Sequence, residues 1–495
     1  MYLGLDLGTS GLKGVVIDDK GNVLAQESLP LTVDSPQATW SEQDPLSWWQ
    51  ACKDVVEQLQ QRLDLSKLKA LGLSGQMHGA TLLDAKGQVL RPCILWNDGR
   101  SQAQCEAMMT QFPDLIERSG NLFMPGFTAP KIRWVEENEP EVFAQLAYVL
   151  LPKDYLAYRL TGSMSTDCSD AAGTLWLNPE TRQWDDALLA ATGLTQANMP
   201  KVHEGCDVVG VLSEEIALEL GLSKLPVVAG AGDNAAGAVG MGVTNPGQGF
   251  ISLGTSGVYF TVSESHKASP QNTVHAFCHA LPNRWHQMGV TLSAANSLAW
   301  FAKLVDKSVA ELLDALEDSE IEQTTVLFLP YLSGERTPHN DPFANGQFVG
   351  LSNTTNVEAM TLAILEGVAF SLLDCQNALD SAKSRVDELS LIGGGARSAL
   401  WRQIIANVLN KRLIYRDGGD VGPGLGAARL ALLGEQQSQG RNIESLIEEY
   451  CTMPEVLAVH EPDDRLRSYY QNKYDVYQSF YQSTKALNQK LMQLS

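Results

Sequence analysis

Leu7-Gly8-Thr9-Ser10-Gly11 stands near the start of the chain and returns, residue for residue, as Leu253-Gly254-Thr255-Ser256-Gly257. Apolar runs flank both copies, residues 2–5 and 14–17 around the first, 250–253 and 258–262 around the second. Each copy therefore reads as strand, tight Gly/Ser/Thr turn, strand. The offset of 246 residues in a chain of 495 predicts two related halves, each opening with a glycine-turned hairpin.

Working outward, the first copy continues through a turn at 18–22 into a third strand at 23–26, and a helix is expected over 48–63. A strand at 68–73 and helices at 102–111, 130–137 and 153–160 follow, an alternation that marks an α/β fold. Residues 226–230 read as a buried strand feeding a glycine-rich stretch. The segment 244–249 is the boundary candidate, dividing the chain into lobes 1–244 and 245–495. Beyond the second hairpin, helices are expected at 293–305 and 357–380, and a βαβ-like segment over 389–417. In the tail, Leu466, Tyr470, Tyr474, Tyr477, Tyr481, Leu487, Leu491 and Leu494 fall at helical spacing. They predict a packed C-terminal helix, with a homodimer contact as the alternative.

The net charge of −22, with no basic run, disfavours nucleic acid and anionic membrane as partners. A small anion is still allowed, because backbone amides hold phosphate without net positive charge. The eight cysteines form no CxxC pair, so neither a zinc knuckle nor a dense disulfide framework fits. No basic signal region and no apolar run of membrane-spanning length is visible, which predicts a cytoplasmic protein.

Four constellations can carry chemistry. In Asp6-Leu7-Gly8-Thr9-Ser10-Gly11-Leu12-Lys13, two glycines and two hydroxyls let N–H groups approach an anion. Asp6 beside that anion makes sense with a divalent cation between them, and Lys13 adds positive charge. The turn is no Walker loop, since GxxxxGK[ST] is absent and a strand follows. In Gly230-Ala231-Gly232-Asp233-Asn234, a carboxylate at the mouth of a small-residue helix can accept a proton from a hydroxyl; the alternative is a helix-capping Asp. Gly393-Gly394-Gly395 follows a strand and suits an adenosine moiety, with Asp417 leaving a dinucleotide reading open. Gly75-Gln76-Met77-His78-Gly79 and Trp96-Asn97-Asp98-Gly99-Arg100 are polar loops, the first better suited to a polyol than to an anion. His275, His279 and His286 lack a partner carboxylate motif, which argues against a metal there.

With these residues assembled, the chain resembles the FGGY sugar kinases, within the broader actin-like ATPase fold. The resemblance runs from Met1 to about Leu433, and its specific stretches are residues 6–13, 75–79, 96–100, 124–134, 230–240, 253–257, 331–339 and 393–403. It implies two ribonuclease-H-like lobes around a cleft, with ATP between the two hairpins. The phosphate loops would fall on Gly8, Thr9, Ser10 and Lys13 and on Gly254 and Thr255, the adenosine-side glycines on Gly394 and Gly395. Asp233 would be the catalytic base, with the sugar held by Met77, His78, Trp96, Asp233 and Asn234, and Mg²⁺ near Asp6 and Asp233. Met77-His78 matches members that phosphorylate D-xylulose at its C5 hydroxyl and departs from the Arg-Glu pair of glycerol-using members. Another ketopentose, an alditol or gluconate is the near alternative, and a non-kinase actin-like ATPase the distant one.

Overall fold

The structure, a computed structural model, describes residues 1–319, 323–384, 386–417 and 422–492. Tyr2–Leu7 runs antiparallel to Gly11–Ile17, which pairs in turn with Val23–Pro30. On its other side Tyr2–Leu7 runs parallel to Ala70–Gly75, and Pro226–Val228 follows. The second half repeats the scheme. Gln248–Leu253 is antiparallel to Gly257–Ser263, then Trp285–Thr291; on the far side lie the parallel strands Glu388–Ile392 and Leu413–Arg416. The duplication thus extends from the quoted pentapeptide to a five-strand order, three antiparallel then two parallel, in each of two ribonuclease-H-like lobes. Val208–Val211 extends the first sheet, and His275–Cys278 and Val456–His460 close the edges of the second.

Side-chain alternation explains how each sheet is covered. Leu3, Leu5 and Leu7 are fully buried against Trp48, Val55 and Leu59 of the helix Pro45–Gln60, which Asp44 caps and Pro45 begins. The opposite face, with Tyr2, Val15 and Ile17, packs on the helix Gly422–Ser438. That helix comes from the second half of the sequence and lies against the first sheet. Glycine makes the approach feasible: a Cβ on Gly4 would fall 2.2 Å from the Gly424 carbonyl oxygen, and one on Gly426 would fall 1.8 Å from that of Ala236. The partner at Ala236 belongs to the helix Asp233–Gly240, so two small-residue helices cross where the lobes meet.

The second lobe is organised around Val357–Ser381, a helix apolar on nearly every face and buried accordingly. The tail helix Arg467–Met492 lays Tyr470, Tyr474, Tyr477 and Tyr481 into this core, as a packed helix should. Its distal Leu487 and Leu491 are exposed, and Leu494 lies outside the described residues. The strand expected at 68–73 is displaced to Ala70–Gly75, since its pairing with the first strand begins only at Tyr2.

Candidate active site

The turn of the first hairpin is closed by Gly8 N–H donating to the Gly11 carbonyl at 2.9 Å. Thr9 in that turn faces away from the hairpin partner. Its Oγ1 donates to Gln76 Oε1 and accepts from Trp96 Nε1, both at 2.9 Å, while its carbonyl accepts from Gln43 Nε2 at 2.7 Å. The phosphate-type turn and the two polar loops are therefore one hydrogen-bonded unit. Gln76, expected among the polyol groups, is committed to this joint, with Nε2 donating to Gln43.

Asp98 and Arg100 of the second loop are structural. Asp98 accepts from Ser41 N at 2.6 Å and from Arg100 N and Nε, and the Arg100 guanidinium lies 3.7 Å from the centroid of Trp40. This anchoring leaves Trp96 to face a cavity of about 270 Å³ between the lobes. Met77, His78, Trp96, Asp233 and Asn234, five residues drawn from three separate loops, all line it. The second half contributes Ser252 and Ser256 at its hairpin, His275 and Phe277 from a strand, and Arg336.

His78 sits at φ +70°, with its ring edge-on to Phe127 at 4.6 Å. Its Nδ1 lies 2.7 Å from the Gly173 carbonyl oxygen and must carry the proton, which leaves Nε2 a free acceptor. Burial, with the Lys131 charge assisting, lowers the imidazole pKa to about 3, so the ring is neutral. Only glycine fits at 173, where a Cβ would come within 2.5 Å of His78 Cε1. Lys131, fully buried, donates from Nζ to the carbonyls of His78 and Gly126, each at 2.8 Å. It clamps the strained loop to the opposite wall, and burial lowers its pKa to about 7.

Asp233 opens the helix Asp233–Gly240, whose N-cap is Gly232, so the capping reading does not hold. One oxygen, Oδ1, accepts from Asn234 N at 2.7 Å and Asn234 Nδ2 at 2.8 Å. Burial, with the Asp6 charge adding, raises its pKa to about 7; the Asn234 bonds oppose the shift. Asp6 is likewise raised, to about 6, by burial, against the Ser74 hydroxyl and the Lys13 charge. Lys13 faces Asp6 across the hairpin register. Asp6 Oδ1 is buried without a hydrogen-bond partner. Two buried carboxylates, both raised and with the Asp6 charge acting on Asp233, are poised for a cation or a proton.

In the second lobe the turn is fixed by Gly254 N–H to the Ser256 carbonyl and by Ala294 N–H to the Thr255 carbonyl, at 3.1 and 2.9 Å. Gly393, at φ +93°, backs directly onto Leu253, and Gly395 packs on the Leu253 side chain. Gly394 alone faces open space. The glycine loop is thus held beside the second hairpin through Leu253, with the face of Gly394 left open. The dinucleotide reading fails because this glycine loop is packed against a second hairpin. His275, His279 and His286 fall in an aromatic wall with Phe260 and Phe277, and among the described residues no group of three metal-type side chains forms.

The FGGY family of carbohydrate kinases matches this chain twice, its N-terminal domain over residues 1–240 and its C-terminal domain over 249–435. The chain belongs to the FGGY carbohydrate kinases. It is 48% identical to the xylulose kinase of Escherichia coli K12, over 97% of this chain and 99% of that one. Among solved structures, a xyloylose kinase from Brucella ovis superposes with a TM-score of 0.93 at 46% identity, covering 98% and 99% of the two chains. A gluconate kinase from Lactobacillus acidophilus superposes at 0.91 with 25% identity, covering 99% of each. An FGGY kinase transfers a phosphoryl group from ATP to a carbohydrate, and the two-lobed architecture described above is that of the family. Arg336, His275, Phe127 and Lys131 were not singled out as site residues from the sequence. Arg336 lies within residues 331–339, a stretch that carried the resemblance without a role attached.

Proposed function

We propose that this FGGY kinase phosphorylates D-xylulose on its C5 hydroxyl, giving D-xylulose 5-phosphate and ADP, in the cytoplasmic use of pentoses. The observation that carries the reading is the cavity itself: one raised carboxylate, Asp233, and one guanidinium, Arg336, set among otherwise neutral groups and opening beside the second hairpin turn. A neutral polyol fits such walls, and the 48% identical relative is a xylulose kinase. In this reading residues 1–244 bear the sugar site and base, and 245–495 the nucleotide surface at Gly254, Thr255, Gly394 and Gly395.

Asp233 accepts the C5 hydroxyl proton as that oxygen attacks the γ-phosphorus; the bond to the β,γ-bridging oxygen breaks and ADP leaves. A base with pKa near 7 is matched to this task at neutral pH. Gly8 and Gly254 N–H close their own turns, so the N–H groups of Thr9, Ser10 and Thr255 position the phosphates, with Lys13 adding charge. Magnesium fits the unpartnered Asp6 Oδ1 with Asp233 close enough to feel its charge; the remaining ligands would come from phosphate and water. Bound there, Mg²⁺ neutralises phosphate charge. His78 Nε2 accepts from a sugar hydroxyl, and Met77 and Trp96 give the carbon chain apolar surface. All eight cysteines are free and buried, which fits a reducing compartment.

The test is ADP release with Mg-ATP and a panel of D-xylulose, D-ribulose, xylitol, D-gluconate and glycerol. D-xylulose is expected to give the highest kcat/KM. A higher value for any other member overturns the assignment, and sugar-independent hydrolysis alone would favour a conformational ATPase.

A further inference from the structure

We propose that Arg336 is the residue that reads the C2 carbonyl oxygen of the substrate and so selects a ketose over the corresponding alditol. The inference rests on D-xylulose being the substrate and adds what recognises it.

A ketopentose closes its ring by adding its own C5 oxygen to C2, so a C5 hydroxyl free to attack phosphorus belongs to the open-chain form. In that form C2 is a carbonyl, whose oxygen accepts hydrogen bonds and donates none. The pocket must meet it with a donor.

Three nitrogen donors of the cavity are committed. Trp96 Nε1 is bonded to Thr9, Asn234 Nδ2 to Asp233, and His78 Nδ1 to the Gly173 carbonyl. His275 Nε2 is buried without a partner, and the Ser252 and Ser256 hydroxyls lie at the second hairpin, so the neutral donors left over are a ring nitrogen and two hydroxyls. Among the described residues Arg336 is different: its backbone N–H donates to Glu335 at 2.7 Å, while its guanidinium lines the cavity with no protein hydrogen bond or ion pair. Its placement is enforced. Glu335 accepts from Thr291 Oγ1 and Leu292 N at 2.6 and 3.0 Å, and Thr337 exchanges bonds with Val290 at 2.9 and 3.0 Å. The residues on both sides of Arg336 are thus pinned to the second sheet, and the guanidinium reaches across to the first half, near Gly126.

The cavity also has two poles. The charge of Arg336 acts on His78 and His275, whereas the charge acting on Asp233 is that of Asp6. A chain with its C5 hydroxyl at Asp233 directs C2 toward the guanidinium end. Reducing C2 turns a planar carbon into a tetrahedral one, which moves the oxygen out of line with the guanidinium and adds an O–H that the cation cannot accept.

The experiment compares kcat/KM of the wild-type enzyme, Arg336→Gln and Arg336→Lys for D-xylulose, for xylitol and D-arabinitol (the two alditols reached by reducing C2), and for D-gluconate. Wild type should favour D-xylulose over both alditols by at least roughly tenfold. Arg336→Gln should lower kcat/KM for D-xylulose roughly 10- to 100-fold and leave that for the alditols within about threefold, so that the ratio collapses. Arg336→Lys should recover part of the ratio. Equal losses on ketose and alditol, or no loss, overturn the proposal, since a merely structural arginine would not change the ratio. Wild type with equal activity on D-xylulose and xylitol overturns it without any variant, so misfolding of a variant leaves the question decidable. A wild-type preference for D-gluconate would instead overturn the substrate assignment, with Arg336 reading a carboxylate.

Discussion

Replacing Asp233 by Asn should make the ligand-free enzyme more stable while removing its activity, and the gain should grow with pH. The carboxyl has an ordinary pKa near 3.8 and is raised to about 7 in the folded chain by burial and by Asp6. A group bound more tightly to its proton in the native state loses stability as pH rises from the unfolded value through the folded one. Between pH 3.8 and 7 that penalty accumulates to about 4 kcal/mol at pH 8, against about 2 kcal/mol at pH 5. Asn carries no charge and presents the same Oδ1 acceptor to Asn234, so it escapes the penalty at every pH. With an unfolding entropy of roughly 2 cal/mol/K per residue, the Tm gap should be about 4–8 °C at pH 8 and about half that at pH 5. Differential scanning calorimetry of both proteins without nucleotide from pH 5 to 8 measures it, and phosphorylation should fall by roughly a hundred- to ten-thousandfold in the same variant. A gap that is flat or inverted with pH would show that Asp233 is an ordinary carboxylate, and half or more of wild-type turnover would remove it from the chemistry.

Asp6→Asn should raise the Mg²⁺ concentration needed for half-maximal rate and the KM for ATP, with the D-xylulose KM changed much less; an unchanged Mg²⁺ titration would make Asp6 structural. His78→Ala removes the Nε2 acceptor at about 1–3 kcal/mol, which is roughly a ten- to hundredfold rise in sugar KM with little change for ATP; a sugar KM within twofold of wild type would take the loop out of the sugar site. Gly394→Ala meets nothing within 4 Å and should leave Tm unchanged while raising the ATP KM, because the proposed nucleotide surface includes its open side; calorimetry and initial rates together decide it. Gly426→Ala sets a Cβ 1.8 Å from a backbone oxygen at the helix crossing and should lower Tm by several degrees, overpacking of about 1–3 kcal/mol being the usual scale.

The sequence alone determined the duplication, because a strand–turn–strand unit is written in contiguous residues and the same five letters appear twice. The carboxylate proposed as the base was also visible locally: Asp233 opens a helix of small residues directly after a glycine pair, and no distant contact is needed to see it. Met77, His78 and Trp96 were legible for the same reason, as polar loops following strands. What those residues do to one another was decided by tertiary structure. Thr9 reads in sequence as a phosphate-loop hydroxyl, yet its side chain is held between Gln76 and Trp96, about 67 and 87 residues away. Arg336 and Lys131 lie in stretches that carry the resemblance, but nothing local gives them a role; one is placed by the pinning of Glu335 and Thr337 to a sheet strand, the other by two carbonyls in separate loops. The helix Gly422–Ser438 belongs in sequence to the second half, yet it covers the first sheet. Hairpins and helix starts depend on neighbours a few residues apart, whereas donors left unpaired in a cavity are defined only after every other donor has found its partner across the chain.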